Sequence, residues 1–143
     1  MSRAAAVVRL RGVRSKERKT MNAALWSAQI VLAAIFALSG TVKLTFSRER
    51  LLATGQTGIA MFPMPVVRFT AASEILAAAG LVAPGLTGIA LILTPLAAAG
   101  LCVVMVGAAW AHTRLHERRA VAVNIALLLL AAFVVLCRAA MLH

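Results

Sequence analysis

The chemistry in this sequence begins with a carboxyl group in apolar company. Glu74 stands in Thr70-Ala71-Ala72-Ser73-Glu74-Ile75-Leu76, one of only four acidic residues in 143. A carboxylate in the middle of a bilayer must be neutral, paired or turned toward a wet interior, because leaving it ionised in hydrocarbon costs several kcal/mol. Lys43, His112 and Asn124 are further polar residues at or near the ends of apolar runs. Glu, Lys and His together can move protons, hold an anionic headgroup or position a quinone, and no motif selects one of these. Each also has a plainer role. Glu74 could bridge helices, Lys43 could snorkel, His112 beside Trp110 could anchor at the interface, and Asn124 could bond a neighbouring helix.

The elements that must position these groups are four apolar runs, Ala23–Leu44, Val66–Ala83, Leu86–Ala111 and Ala120–Leu142. A hydrocarbon core of ~30 Å takes about 20 helical residues at ~1.5 Å each. A spanning segment must satisfy its backbone internally, so each run is expected to be a helix. Short connections make sequential helices antiparallel neighbours. The expected fold is therefore all-α: a four-transmembrane-helix bundle running up-down-up-down over residues 21–143. Pro84-Gly85 reads as the turn between the second and third spans, and Pro95 as a kink within the third. The Thr45–Pro65 connection is expected to hold a short helix, Arg48–Ala53, capped by Ser47 and ended by Gly55, with Ile59, Met61 and Phe62 lying in the interface.

In this arrangement the first and third spans end where the second and fourth begin. Lys43, Arg68, His112 and Asn124 then fall within roughly 6 Å of one membrane boundary, and Glu74 lies ~12 Å in from the same side. Arg68 and Glu74 are six positions apart and face different ways, so Lys43 is the easier partner for Glu74. Trp26, Trp110, Arg68, Arg118 and Arg119 are expected at headgroup level.

Composition narrows the function classes. Apolar residues make up 62% of the chain and the mean hydropathy is +0.94, against roughly 45–50% apolar in soluble domains. The net charge of +11 does not indicate nucleic acid. Seven of the basic residues lie between Arg3 and Lys19 and most others at span ends, where anionic headgroups attract them, and there is no Tyr. Residues 1–20 are expected to form a flexible basic tail. No cleavage site closes the first run, so it is expected to be retained, and Met21 offers a second start that would remove the tail. Eight basic residues on one side against seven on the other leave the sidedness open, with the dense tail favouring cytoplasmic termini.

Cys102 and Cys137 differ in depth by ~10 Å, too far for a direct disulfide, and there is no Cys-x-x-Cys. His112 and His116 are four apart, but Glu117 follows rather than separates them, so no metal site is expected. No phosphate loop, Ser/His/Asp set or haem motif is present. Small residues such as Ala98 and Cys102 suggest a face that could pack against a second copy.

Several segments together resemble one family. Ala24-Leu25-Trp26, Ser39-Gly40-Thr41-Val42-Lys43-Leu44, Ser47-Arg48-Glu49-Arg50-Leu51, Glu74 through Leu81, Leu93-Thr94-Pro95 and His112 through Asn124 resemble the DoxX-like family of small four-helix membrane proteins over residues ~22–138. The resemblance implies a multi-pass protein of the bacterial plasma membrane. It also implies an accessory or subunit role in a redox or quinone-linked complex, with other membrane redox proteins as partners. Lys43, Glu74, His112 and Asn124 match the family's recurring polar positions. No cofactor is evident from the residues themselves. The rival expectation is a small proton-coupled carrier that uses Glu74.

Overall fold

α1 (Arg3–Thr45) runs unbroken for 43 residues, about 65 Å at ~1.5 Å per residue and twice the thickness of a bilayer core. The computed structural model describes residues 3–142, with side chains from Arg11 onward. The helix begins well before the apolar run that was expected to define it. The preceding residues are largely Ala, Arg, Lys and Val with no proline, so the chain has no reason to stop being helical where the lipid-facing part starts. Residues 11–20 are exposed throughout.

After α1 come α2 (Arg48–Ala53), a 3-10 turn (Thr57–Met61), α3 (Met64–Thr87), α4 (Leu93–Arg114) and α5 (Arg118–Ala140). α1, α3, α4 and α5 are each long and apolar enough to cross a membrane. They form a four-helix bundle in which α1 packs on α3, α3 on α4, α4 on α5 and α5 back on α1. The chain is a multi-pass membrane protein.

The inward faces repeat every three to four residues: Leu25, Ala28, Leu32 and Phe36 on α1, Val67, Ala71, Glu74, Ala78 and Leu81 on α3, and Thr94, Ala98, Leu101 and Met105 on α4. That is the inward stripe of helices packed into a bundle. The outward faces are apolar too. Leu38, Phe69, Leu76, Val103 and Leu136 are each more than two-thirds exposed, a surface suited to lipid. Ala98 is fully buried inside the bundle and Cys102 packs against the same core. The small face expected to meet a second copy therefore looks inward instead.

Two prolines act differently from expectation. α3 continues through Pro84 and Gly85 to Thr87, and the turn comes at Gly88, whose left-handed φ of 72° ends the helix with its N–H on the Pro84 carbonyl. α4 starts at Leu93, so Pro95 sits in the first turn, where a helix has no use for the missing N–H. The expected kink has no origin there.

The long connection folds over one end of the bundle. Ser47 Oγ accepts from Arg50 N at 3.3 Å, Gly55 takes a φ of 86°, and Arg48 ties the return by donating to the carbonyls of Phe62 and Ala60. Leu51, Ile59 and Val67 form a second small core beneath it. Ile59 is thus buried in protein rather than dipped into the interface.

Gly40 sets a close crossing. A Cβ there would stand 2.6 Å from the Ala71 carbonyl oxygen and 2.8 Å from Ile75 Cγ1, so α1 and α3 approach closely enough that no side chain fits between them. Gly40→Ala is expected to force them apart at a cost of about 1–3 kcal/mol, read as a lower unfolding midpoint in mild detergent. An unchanged midpoint would contradict the close crossing.

Candidate functional site

The crossing at Gly40 puts the next inward position of α1, Lys43, beside α3. Its Nζ donates to Glu74 Oε1 at 2.7 Å, with the lysine side chain 17% exposed and the glutamate side chain fully buried. The second carboxylate oxygen, Oε2, is buried with no protein partner among the described residues. Arg68 does not compete for Glu74. It turns back to the C-terminus of α1, donating to the carbonyls of Lys43 at 2.6 Å and Phe46 at 2.9 Å, which a cation at a helix end satisfies well.

At the C-terminus of α4 the backbone brings two further residues together. His116 adopts a φ of 59°; its N–H bonds the Thr113 carbonyl at 3.1 Å and that of Glu117 bonds the His112 carbonyl at 3.0 Å. This Schellman motif swings Glu117 back over the helix end. Its Oε2 lies 2.6 Å from His112 Nδ1 and accepts from Thr57 Oγ1 at 2.7 Å. The hydrogen bond from Thr57, then that from His112, holds the Glu117 carboxyl below its ordinary range. The other edge of the His112 ring lies against Gly58, where a Cβ would meet Nε2 at 3.0 Å. α4, α5 and the 3-10 turn are thus joined through one carboxylate.

Lys43, Glu74, His112 and Asn124 all line one cavity of about 630 Å³, within the roughly 300–1,000 Å³ of small-molecule sites. The remaining wall is mostly apolar, with Phe36, Phe62 and Phe69 among its members. Asn124 Nδ2 donates to the Ala120 carbonyl at 2.8 Å in its own helix, so its bond is local rather than across the bundle. The four residues therefore share a wall, though only Lys43 and Glu74 bond each other. Among the described residues no three His, Cys, Asp or Glu side chains gather as a metal set.

The five residues expected at the interface have separate surroundings. Arg118 and Arg119 are exposed at the start of α5. Trp110 is half-exposed, with the Arg114 guanidinium 5.5 Å from its ring and the Phe62 ring 6.1 Å away. Arg68 is engaged as described. Trp26 packs against Gly85, which explains that glycine, since a Cβ would stand 2.8 Å from the indole.

Sequence reasoning missed a second polar group at the opposite end. Gln29, 1% exposed, donates to the Leu81 carbonyl and accepts at Oε1 from Arg138 Nε at 2.8 Å. Arg138 also reaches Asn22 Oδ1 at 3.2 Å and lies over the Trp26 ring. A glutamine deep in an apolar run was the available signal. Its partner, 109 residues away, needed the closed ring of helices to be known. The Thr57–Glu117–His112 group was likewise missed, because it depends on how the long connection folds back.

Residues 27–134 match the model of the DoxX-like family. No curated protein matches the chain, and no solved structure does.

The acid response of the loop-side end follows from Glu117. A carboxyl held low when folded contributes its bonds above its ordinary value of 4.5 and loses them as pH falls through the depressed one. In a Trp26→Phe background, Trp110 emission is expected to be flat from neutral to mildly acid pH and to shift only in more acid solution. In Glu117→Gln the acid shift should disappear. A midpoint near neutrality would contradict the assignment.

Proposed function

The chain belongs to the DoxX-like family, and on that footing we propose that it is a quinone-binding subunit, accessory to a membrane redox complex rather than a catalyst itself. The observation that carries this reading is the buried Lys43–Glu74 pair in the wall of a largely apolar, membrane-embedded cavity. Three features favour a quinone over an anionic headgroup. The pair is neutral overall, so it offers no net charge to an anion. Lys43 supplies a donor, and Ser39 and Thr70 line the same cavity, residue types whose hydroxyls suit carbonyl oxygens. The aromatic side chains of Phe36, Phe62 and Phe69 give the flat head an apolar bed. A bound quinone supplies electron and proton transfer; the protein's part is to hold and orient the head and to keep water from it.

A second reading, a small proton-coupled carrier, draws on the unpartnered Oε2 of Glu74, a buried position suited to taking up a proton. The two readings separate cleanly. Purified protein is expected to bind a short-chain quinone saturably. Glu74→Gln and His112→Ala should each weaken binding by roughly ten- to a hundredfold, the scale of about 1.5–3 kcal/mol for a charged hydrogen bond. Absence of saturable binding removes the quinone reading. Proton uptake into proteoliposomes that is lost in a folded Glu74→Gln variant would then support the carrier.

A further inference from the structure

The glycines of the bundle fall into two groups. Gly40, Gly80 and Gly85 are places where a Cβ would strike a neighbour, at 2.6, 2.9 and 2.8 Å respectively. Gly100 and Gly107 on α4 are different, since a Cβ at either meets nothing within 4 Å. Glycine in a helix interior is unfavourable relative to alanine, and these two gain no close packing in return. What they leave is space, and it is directed. Seven residues apart, they lie on one face of α4, and both line the cavity that holds Lys43 and Glu74.

A second cavity, of about 400 Å³, lies beside the first along the seam of α3 and α4. Ser73, Gly100 and Val104 border both, so the two meet at Gly100. Gly80 and Ala97 border the second cavity, and a Cβ at Gly80 would stand 2.9 Å from that of Ala97. Its outer lips are Leu76 and Leu96, both exposed on the lipid-facing surface, and Phe69 and Val103 are the exposed lips of the first. A polar, buried end with an unpartnered carboxylate oxygen thus adjoins an apolar groove whose lips are exposed on the lipid-facing surface.

We propose that the α3–α4 groove holds the hydrocarbon chain of the molecule whose polar head sits beside Lys43 and Glu74, and that this molecule passes laterally between the site and the membrane. The ligand class is then a single-chain amphiphile with a neutral, hydrogen-bonding head. This rests on the quinone reading and adds the chain, its path and the residue that makes room for it. Gly100 is the specificity-determining position, because any side chain there stands where the two cavities join.

The test compares two probes, a benzoquinone without a side chain and the same head carrying a long isoprenoid chain. Each is titrated against protein in nanodiscs, with saturable quenching of Trp110 as the readout in a Trp26→Phe background. The wild type is expected to bind both, the long-chain probe more tightly. Gly100→Leu should weaken the long-chain probe by roughly tenfold or more, the scale of displacing two methylenes, and the chainless probe several-fold less, since only the long-chain probe has to extend past Gly100. Gly100→Ala, with less bulk, should fall between. Equal loss of both probes, or no loss of either, in a Gly100→Leu protein with an unchanged unfolding midpoint would overturn the groove and leave the head site standing. If neither probe binds the wild type, the quinone reading itself has failed and the groove assignment with it.

Discussion

A carboxylate withdrawn from water into a helix bundle loses hydration worth several kcal/mol, and an opposite charge held at close range is one way to offset that loss. In this chain the opposite charge is Lys43, 2.7 Å from Glu74. The arrangement works because neighbouring residues leave no other outcome. Gly40 lets α1 and α3 touch one turn away, and Arg68, the other cation nearby, is occupied by the carbonyls that end α1. The pair therefore binds two helices together at the wall of a cavity and leaves one buried carboxylate oxygen without a protein partner. Stability and site are the same contact.

The two ends of the bundle handle polarity differently. At the loop side an ion pair and a carboxylate-oriented histidine line an open cavity. At the opposite end Arg138 is held by neutral groups, Gln29 and Asn22, and by the face of Trp26. Its hydrogen bonds are used within the protein, so that end closes the bundle, whereas the loop-side end keeps a polar surface free within it.

How much of this was legible depended on the range of the interaction. The four spans and the placing of Lys43 beside Glu74 follow from hydrophobic length and helical rise, and the Ser47 cap from its side-chain oxygen, all of them local quantities. The Pro84-Gly85 pair misled, because a proline near a helix end removes one hydrogen bond without ending the helix, and the left-handed residue that does end it is Gly88. Glu117 misled as well. Beside two histidines it reads as part of a failed metal motif, whereas the αL turn at His116 makes it the residue that orients His112. The cavity could not be read at all from one dimension, since its walls come from four helices and a folded connection.

The most direct test of the central claim is a double-mutant cycle on Lys43 and Glu74, followed by unfolding in mild detergent. Each single replacement by methionine should destabilise by about 3–5 kcal/mol, because it leaves one buried polar partner unmatched. The double replacement should recover most of that loss. Purely additive effects would mean that the pair does not hold α1 to α3, and the site built on it would lose its foundation.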